Sequence, residues 1–207
     1  MSTPPFESPE TPRPPSRFAE RSRRVVDPAL LQRFVDTFLY GPDAFFVDEL
    51  TRVDPEARVL EGVLDTTRVF PLSRCQRTSA LHPAHVSAAE LLMATGSLGC
   101  LHAFLFHGCR WDEAWAGFGN RIHRADFKRV ATIGPPITLE SRETRTRVGP
   151  RRIMLRYDFR FLQAGEVVYR GDQSAMFVKG RALDALLAAG GSSADEADDA
   201  GPAEGDR

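Results

Sequence analysis

The sequence predicts one α+β domain, an antiparallel sheet wrapped around a single long helix buried on every side. Three observations predict it. Residues 87–107 carry Ala88, Leu91, Leu92, Ala94, Leu98, Leu101, Phe104 and Leu105, which point in nearly every direction around a helix. A helix that is apolar all round is surrounded by protein. Residues 151–162 alternate strictly, with Ile153, Leu155, Tyr157, Phe159 and Phe161 facing one way and Arg152, Arg156, Asp158 and Arg160 the other. This is the period of a strand with one buried face. Finally, Gly134-Pro135-Pro136, Gly149-Pro150 and Ala164-Gly165 cut that region into extended runs joined by tight turns, the connection that antiparallel neighbours need.

The elements follow in order. Residues 1–26 are Pro-rich and then Arg-rich, a composition that cannot close a core, so a disordered tail is expected. Asp27-Pro28 reads as an N-cap followed by the first helical position. Leu30, Leu31, Phe34, Phe38 and Leu39 continue at helical spacing up to Gly41. Residues 45–53 and 58–69 read as a hairpin turned by Asp54-Pro55-Glu56-Ala57, with proline at the second turn position. A polar loop, 70–86, leads into the long helix. Strands are then expected at 122–131, 137–148, 151–162 and 166–179, and a short closing helix at 181–189. Residues 190–207 are small and acidic and read as a second disordered tail. The folded domain is thus expected to span 27–189.

Composition excludes several classes. With 27 basic and 28 acidic residues the formal charge is −1, and no nucleic-acid module is present. The N-terminus has no basic start followed by an apolar run, so no secretory signal is read. Residues 91–106 include Thr95, Gly96, Ser97, Gly99 and His102 and are short for a spanning helix. A cytoplasmic protein with no membrane span is expected. Cys75, Cys100 and Cys109 have no metal or disulfide spacing and read as reduced thiols. The five histidines form no ligand motif, so neither metal nor cofactor is expected.

Two stretches resemble hot-dog enzymes of acyl-thioester metabolism. Phe45-Phe46-Val47-Asp48-Glu49-Leu50, with Val53-Asp54-Pro55-Glu56 after it, is similar to the opening strands of FabZ-type 3-hydroxyacyl-carrier-protein dehydratases. Asp126-Phe127-Lys128-Arg129 followed by Gly134 is similar to that family's F-K-R-P segment. The dehydratase His-Pro pair is matched by His82-Pro83. The position of the family's helical Glu falls on Thr95, which is no acid. His85-Val86-Ser87-Ala88-Ala89-Glu90-Leu91 resembles the helix start of FcoT-like fatty acyl thioesterases, matching at His85, Ala88, Glu90 and Leu91. That family's Asn and its later Asn-Gln pair fall on Ser87 and on Gly96-Ser97, so roles of those amides do not transfer. The resemblance implies a hot-dog domain, a homodimer, and a substrate carried as a thioester on acyl-carrier protein or coenzyme A. It implies hydrolysis of that thioester or addition of glycine to the β-carbon of an enoyl group. The alternatives are a FabZ-like dehydratase using His82, and a non-catalytic subunit that binds an acyl chain.

Physical chemistry supplies the candidate site. A helix N-terminus presents unpaired amides and partial positive charge, so the Ala88 and Ala89 N–H groups suit a thioester carbonyl and the negative charge that develops on it. His85, just before the helix, is positioned to handle a proton, and His82 is the second histidine candidate. Ser87 and Glu90 are site candidates that also read as an S-x-x-E capping box. Arg74, Arg77, Lys128 and Arg129 are candidates for the phosphates of the carrier. The ridge of Arg142, Arg145, Arg147, Arg151, Arg152, Arg156 and Arg160 reads as a face for an acidic carrier protein or as an ordinary solvated strand face. His102 and His107 read as structural, and His123 as a surface or interface residue.

Overall fold

The computed structural model describes residues 16–180. The expected tails at 1–15 and 190–207 and the closing helix at 181–189 lie outside the described residues. The chain runs α1 (Arg17–Ser22), α2 (Pro28–Thr37), β1 (Glu49–Asp54), β2 (Val59–Leu64), β3 (His85–Val86), α3 (Ala88–His107), β4 (Trp115–Phe127), β5 (Ala131–Thr132), β6 (Ile137–Val148), β7 (Arg152–Gln163) and β8 (Glu166–Lys179). Six strands form one antiparallel sheet in the order β1-β2-β6-β7-β8-β4, and β3 and β5 form a separate two-stranded ladder.

Helix α3 lies against this sheet. Leu91, Ala94, Leu98, Leu101, Ala103 and Phe104 are all 2 % exposed or less. They pack with the inward face of β7, where Ile153, Leu155, Tyr157, Phe159 and Phe161 are buried, as the alternation requires. By length and composition α3 could cross a membrane, yet most of it is enclosed by the sheet. Each buried Leu or Phe contributes roughly 1.5–3 kcal/mol, so this helix–sheet contact is a large share of the core. Gly108 closes the helix in the left-handed conformation, φ 66°, with its N–H satisfied by the Ala103 carbonyl.

Several boundaries differ from the sequence expectation: β1 starts at Glu49 and not at 45, β2 ends at Leu64 and not at 69, β4 ends at Phe127 and not at 131, and three further differences have a visible packing reason. Among the described residues, packed structure is already present from Ser16, ahead of Asp27. Ser16 caps α1 by accepting from the Ala19 N–H, Phe18 meets Phe45 edge-on at 4.9 Å, and the Ser22 hydroxyl accepts from the Leu50 N–H at 2.8 Å. Proline and arginine dominate the average composition of 1–26 and mask this one buried helical face. Helix α2 stops at Thr37, where Phe38 turns to extended backbone (ψ 141°); Phe38 still packs on Phe34 at 5.0 Å. Strand β4 starts at Trp115, well before residue 122. A Cβ at Gly117 would sit 2.7 Å from the Phe177 ring. The glycine is there for packing against β8.

Candidate active site at the start of the central helix

The loop before α3 is fixed by polar bonds that converge on one carboxylate. Ser87 caps the helix, and the reciprocal capping box with Glu90 is complete. Glu90 is fully buried. Its Oε1 accepts from the Leu72 and Ser73 N–H groups at 2.7 and 3.0 Å. Its Oε2 accepts from the Ser73 hydroxyl, the Ser87 N–H and the Ser87 hydroxyl. Burial pushes the Glu90 pKa up, but the bonds from Ser73, Leu72 and Ser87 outweigh it and leave it below the usual carboxylate value. Glu90 is therefore ionised and consumed by the scaffold. It staples residues 72–73 to the helix, a cross-loop link that an S-x-x-E pattern does not reveal.

The same loop carries both candidate histidines. The Gln76 side chain clamps the His85 backbone, donating to its carbonyl at 2.9 Å and accepting from its N–H at 3.3 Å. The His85 Nδ1 lies 2.9 Å from the Pro83 carbonyl. A carbonyl can only accept, so Nδ1 carries the proton and Nε2 is the basic nitrogen. The His82 ring stands edge-on to His85 at 5.0 Å, so the structure brings the two together. His82 is exposed and His85 is half-buried.

Ala88 and Ala89 occupy the first two helical positions and are exposed. No carbonyl four residues earlier lies within the helix to receive their N–H groups, and the Ser87 hydroxyl accepts from the Glu90 N–H instead. The helix start thus offers two amides and the positive end of a 20-residue dipole, three residues beyond His85. Methyl side chains leave the approach clear.

The basic candidates divide. Arg74 sits in the single turn Ser73–Cys75 that is bonded to the helix start, and Arg77 follows the Gln76 clamp; both are exposed. Pairing of β3 with β5 (His85↔Thr132, Val86↔Ala131) brings the end of β4 to the same place. There Lys128 faces Asp126 at 3.2 Å and Arg129 pairs with Glu166, so these two cations already have acidic partners. On the arginine ridge, Arg156 is held in a two-bond clasp by Asp172 and Arg160 by Glu140. His123 is half-buried with Nε2 3.3 Å from the Ser174 hydroxyl.

A cavity of about 150 Å³ opens between the middle of α3 and strands β4, β7 and β8. Met93, Tyr40 and Phe118 form its exposed rim; Phe159, Phe177 and Gln173 line its wall. Sequence periodicity marks the apolar lining of such a space but not the space itself.

No protein-family model and no curated protein matches the chain. Solved structures do. The dehydratase heterocomplex ApeI:P of Xenorhabdus doucetiae superposes with a TM-score of 0.51 at 12 % identity, covering 75 % of this chain and 96 % of that one. A variant of the thioesterase PA1618 of Pseudomonas aeruginosa gives 0.49 at 14 % identity, covering 75 % and 97 %. A variant of the fluoroacetyl-CoA-specific thioesterase FlK gives 0.45 at 12 %, covering 65 % and 95 %. The fold is the hot-dog fold, as the sequence resemblance implied.

Proposed function

We propose that the protein acts on an acyl or enoyl thioester, with the carbonyl held by the Ala88 and Ala89 amides and the His85 Nε2 moving the proton. The observation that carries this reading is the start of α3, where open amides stand beside a histidine whose tautomer is set by the Pro83 carbonyl. Amides at a helix N-terminus polarise a thioester carbonyl and stabilise charge that grows on its oxygen. A neutral imidazole nearby takes a proton from an attacking water or from glycine. The dehydratase heterocomplex ApeI:P, which shares the fold, supports an enzyme of this kind.

The reaction is hydrolysis of the thioester or addition of glycine to the β-carbon of an enoyl group. Dehydration is the weaker reading, because Thr95 stands where a helical acid is needed and Glu90 is locked in its ionised form. Arg74 and Arg77, exposed beside the helix start, are the cations for the phosphates of coenzyme A or of a carrier's phosphopantetheine. The chain works as a homodimer. Strand β4 is a 13-residue edge strand with exposed Phe118, Ile122 and Phe127, and a long apolar edge calls for a covering partner.

Intact-mass analysis of acyl- and 2-enoyl-carrier proteins, incubated with and without glycine, tests the reading. Loss of the acyl group identifies a thioesterase, and a gain of one glycine identifies an amine-adding enzyme. Gain or loss of water would make it a dehydratase or hydratase. No mass change on any thioester would leave only an acyl-binding subunit.

A further inference from the structure

The lining of the cavity between α3 and β4 mixes apolar side chains with polar ones, among them Thr95 and Gln173. Thr95, 2 % exposed, sits 2.9 Å from Gln173 Oε1, and Gln173 Nε2 donates to the Tyr169 hydroxyl at 2.7 Å. The far end of this chain is fixed by close packing. Tyr169 is fully buried, and a Cβ on Gly171 would lie 2.2 Å from its oxygen, so only glycine there leaves the ring in place. A primary amide has two N–H donors and two lone pairs. The Thr95 hydroxyl also lies 2.6 Å from the Leu92 carbonyl, so within the described residues Gln173 keeps at least one donor and one acceptor on a side chain that lines the cavity.

The rest of the wall is shaped to admit something. A Cβ on Gly96 or on Gly119 would meet no atom within 4 Å, and both glycines line the space. A volume near 150 Å³ accommodates a benzene-sized group, about six heavy atoms. Thr95 lies six residues along α3 from Ala89, about 9 Å along the axis at 1.5 Å per residue. Met93, on the rim, lies between them.

We infer that this cavity receives the tail of the acyl group and that Gln173 reads a hydroxyl on it, remote from the thioester carbonyl. The inference rests on the acyl-thioester reading above and specifies its substrate class: medium-length acyl thioesters with a donor–acceptor group near the far end. A hydroxyl uses the spare donor and the spare acceptor together. A plain alkyl tail desolvates the amide and leaves both without partners, which disfavours it.

Non-hydrolysable pantetheine amides of octanoic, 3-hydroxyoctanoic and 8-hydroxyoctanoic acids separate the possibilities, with Kd read by calorimetry on the full chain. The 8-hydroxy probe is expected to bind about tenfold more tightly than the other two, a difference of 1.4 kcal/mol. Gln173→Leu should erase that difference while leaving the octanoyl probe bound; Gln173→Met serves the same purpose if the leucine variant folds poorly. Gly96→Leu, which grows into open space, should exclude all three tails. Equal Kd for the three probes on the unaltered protein would overturn the inference while the acyl-thioester reading stands. Failure of every probe to bind would overturn both.

Discussion

Each end of the central helix carries a histidine and a buried carboxylate, and the two ends use them in opposite ways. At the start, Glu90 is buried and saturated with donors, while His85 stays half-buried with one ring nitrogen on the Pro83 carbonyl and the other without a hydrogen bond among the described residues. At the far end everything is enclosed. His107 Nε2 meets Glu143 Oε2 at 2.8 Å, and His102 Nε2 meets the Ser141 hydroxyl at 2.9 Å. His102 Nδ1 is 3.9 Å from Glu143 and has no hydrogen-bond partner among the described residues. Burial pushes the His102 pKa down to about 3 against the pull of Glu143. Burial raises the Glu143 pKa, but the bonds from His107 and Thr146 outweigh it and hold it below its usual value. One type of side chain is thus left open at one end, where we propose that it carries a proton, and becomes a fixed packing element at the other. Solvent access decides which, because a proton cannot cycle on a nitrogen that water never reaches.

The sharpest way to break this comparison is at His85. His85→Ala is expected to lower thioester turnover by about 10²–10⁴-fold with an unchanged Tm. A loss of stability in place of activity would make His85 a second structural histidine. Next in size is Ala88→Pro. Proline suits the first helical position, and Ser87 already has the extended backbone (φ −68°, ψ 152°) required before it. The helix is therefore kept and one amide donor removed. Turnover should fall about 10²–10³-fold while circular dichroism and Tm stay near those of the parent; full activity would remove the carbonyl from this amide.

At the closed end the readout reverses. Glu143→Ala strips the partner from a buried histidine and should cost roughly 3 kcal/mol, about 6–12 °C in Tm, with turnover per folded molecule unchanged. The last effect is a pH dependence, small near neutral pH. His102 stays neutral in the fold down to about pH 3, whereas an unfolded histidine takes up its proton near 6.5. Below pH 6.5 the unfolded chain binds more protons, so His102 lowers stability by up to about 1.4 kcal/mol per pH unit as pH falls from 6.5 toward 3. Above 6.5 it contributes no slope. Denaturant unfolding from pH 7.5 to 4.5 measures this, and His102→Gln should flatten the curve; an equal slope in the variant would assign it to other groups.

Local pattern was enough for the elements whose signals lie within a few residues. Asp27 caps α2 through the Ala29 N–H, Ser87 and Glu90 form the capping box, and β7 buries the five side chains that its alternation selects. It failed where the deciding contact is distant in sequence. The folded α1 depends on Phe45 and Leu50, and the early start of β4 depends on Phe177. Of the candidate site, the Ala88 and Ala89 amides and the position of His85 were legible from the helix start alone. The tie from Glu90 to Ser73, the clamp of Gln76 on His85 and the row Thr95–Gln173–Tyr169 join residues up to 78 positions apart, and no periodicity encodes them.

Sequence by itself determined which residues are apolar, where the backbone turns and where the long helix begins. Those properties follow from side-chain hydrophobicity and from the local sterics of glycine and proline. Only the tertiary structure decided that Glu90 is a staple, that Lys128 and Arg129 are already paired, that one end of α3 is open and the other sealed, and that a space remains beside Gly96. Each of these depends on which groups water can still reach once the sheet has closed on the helix, a quantity no residue carries alone.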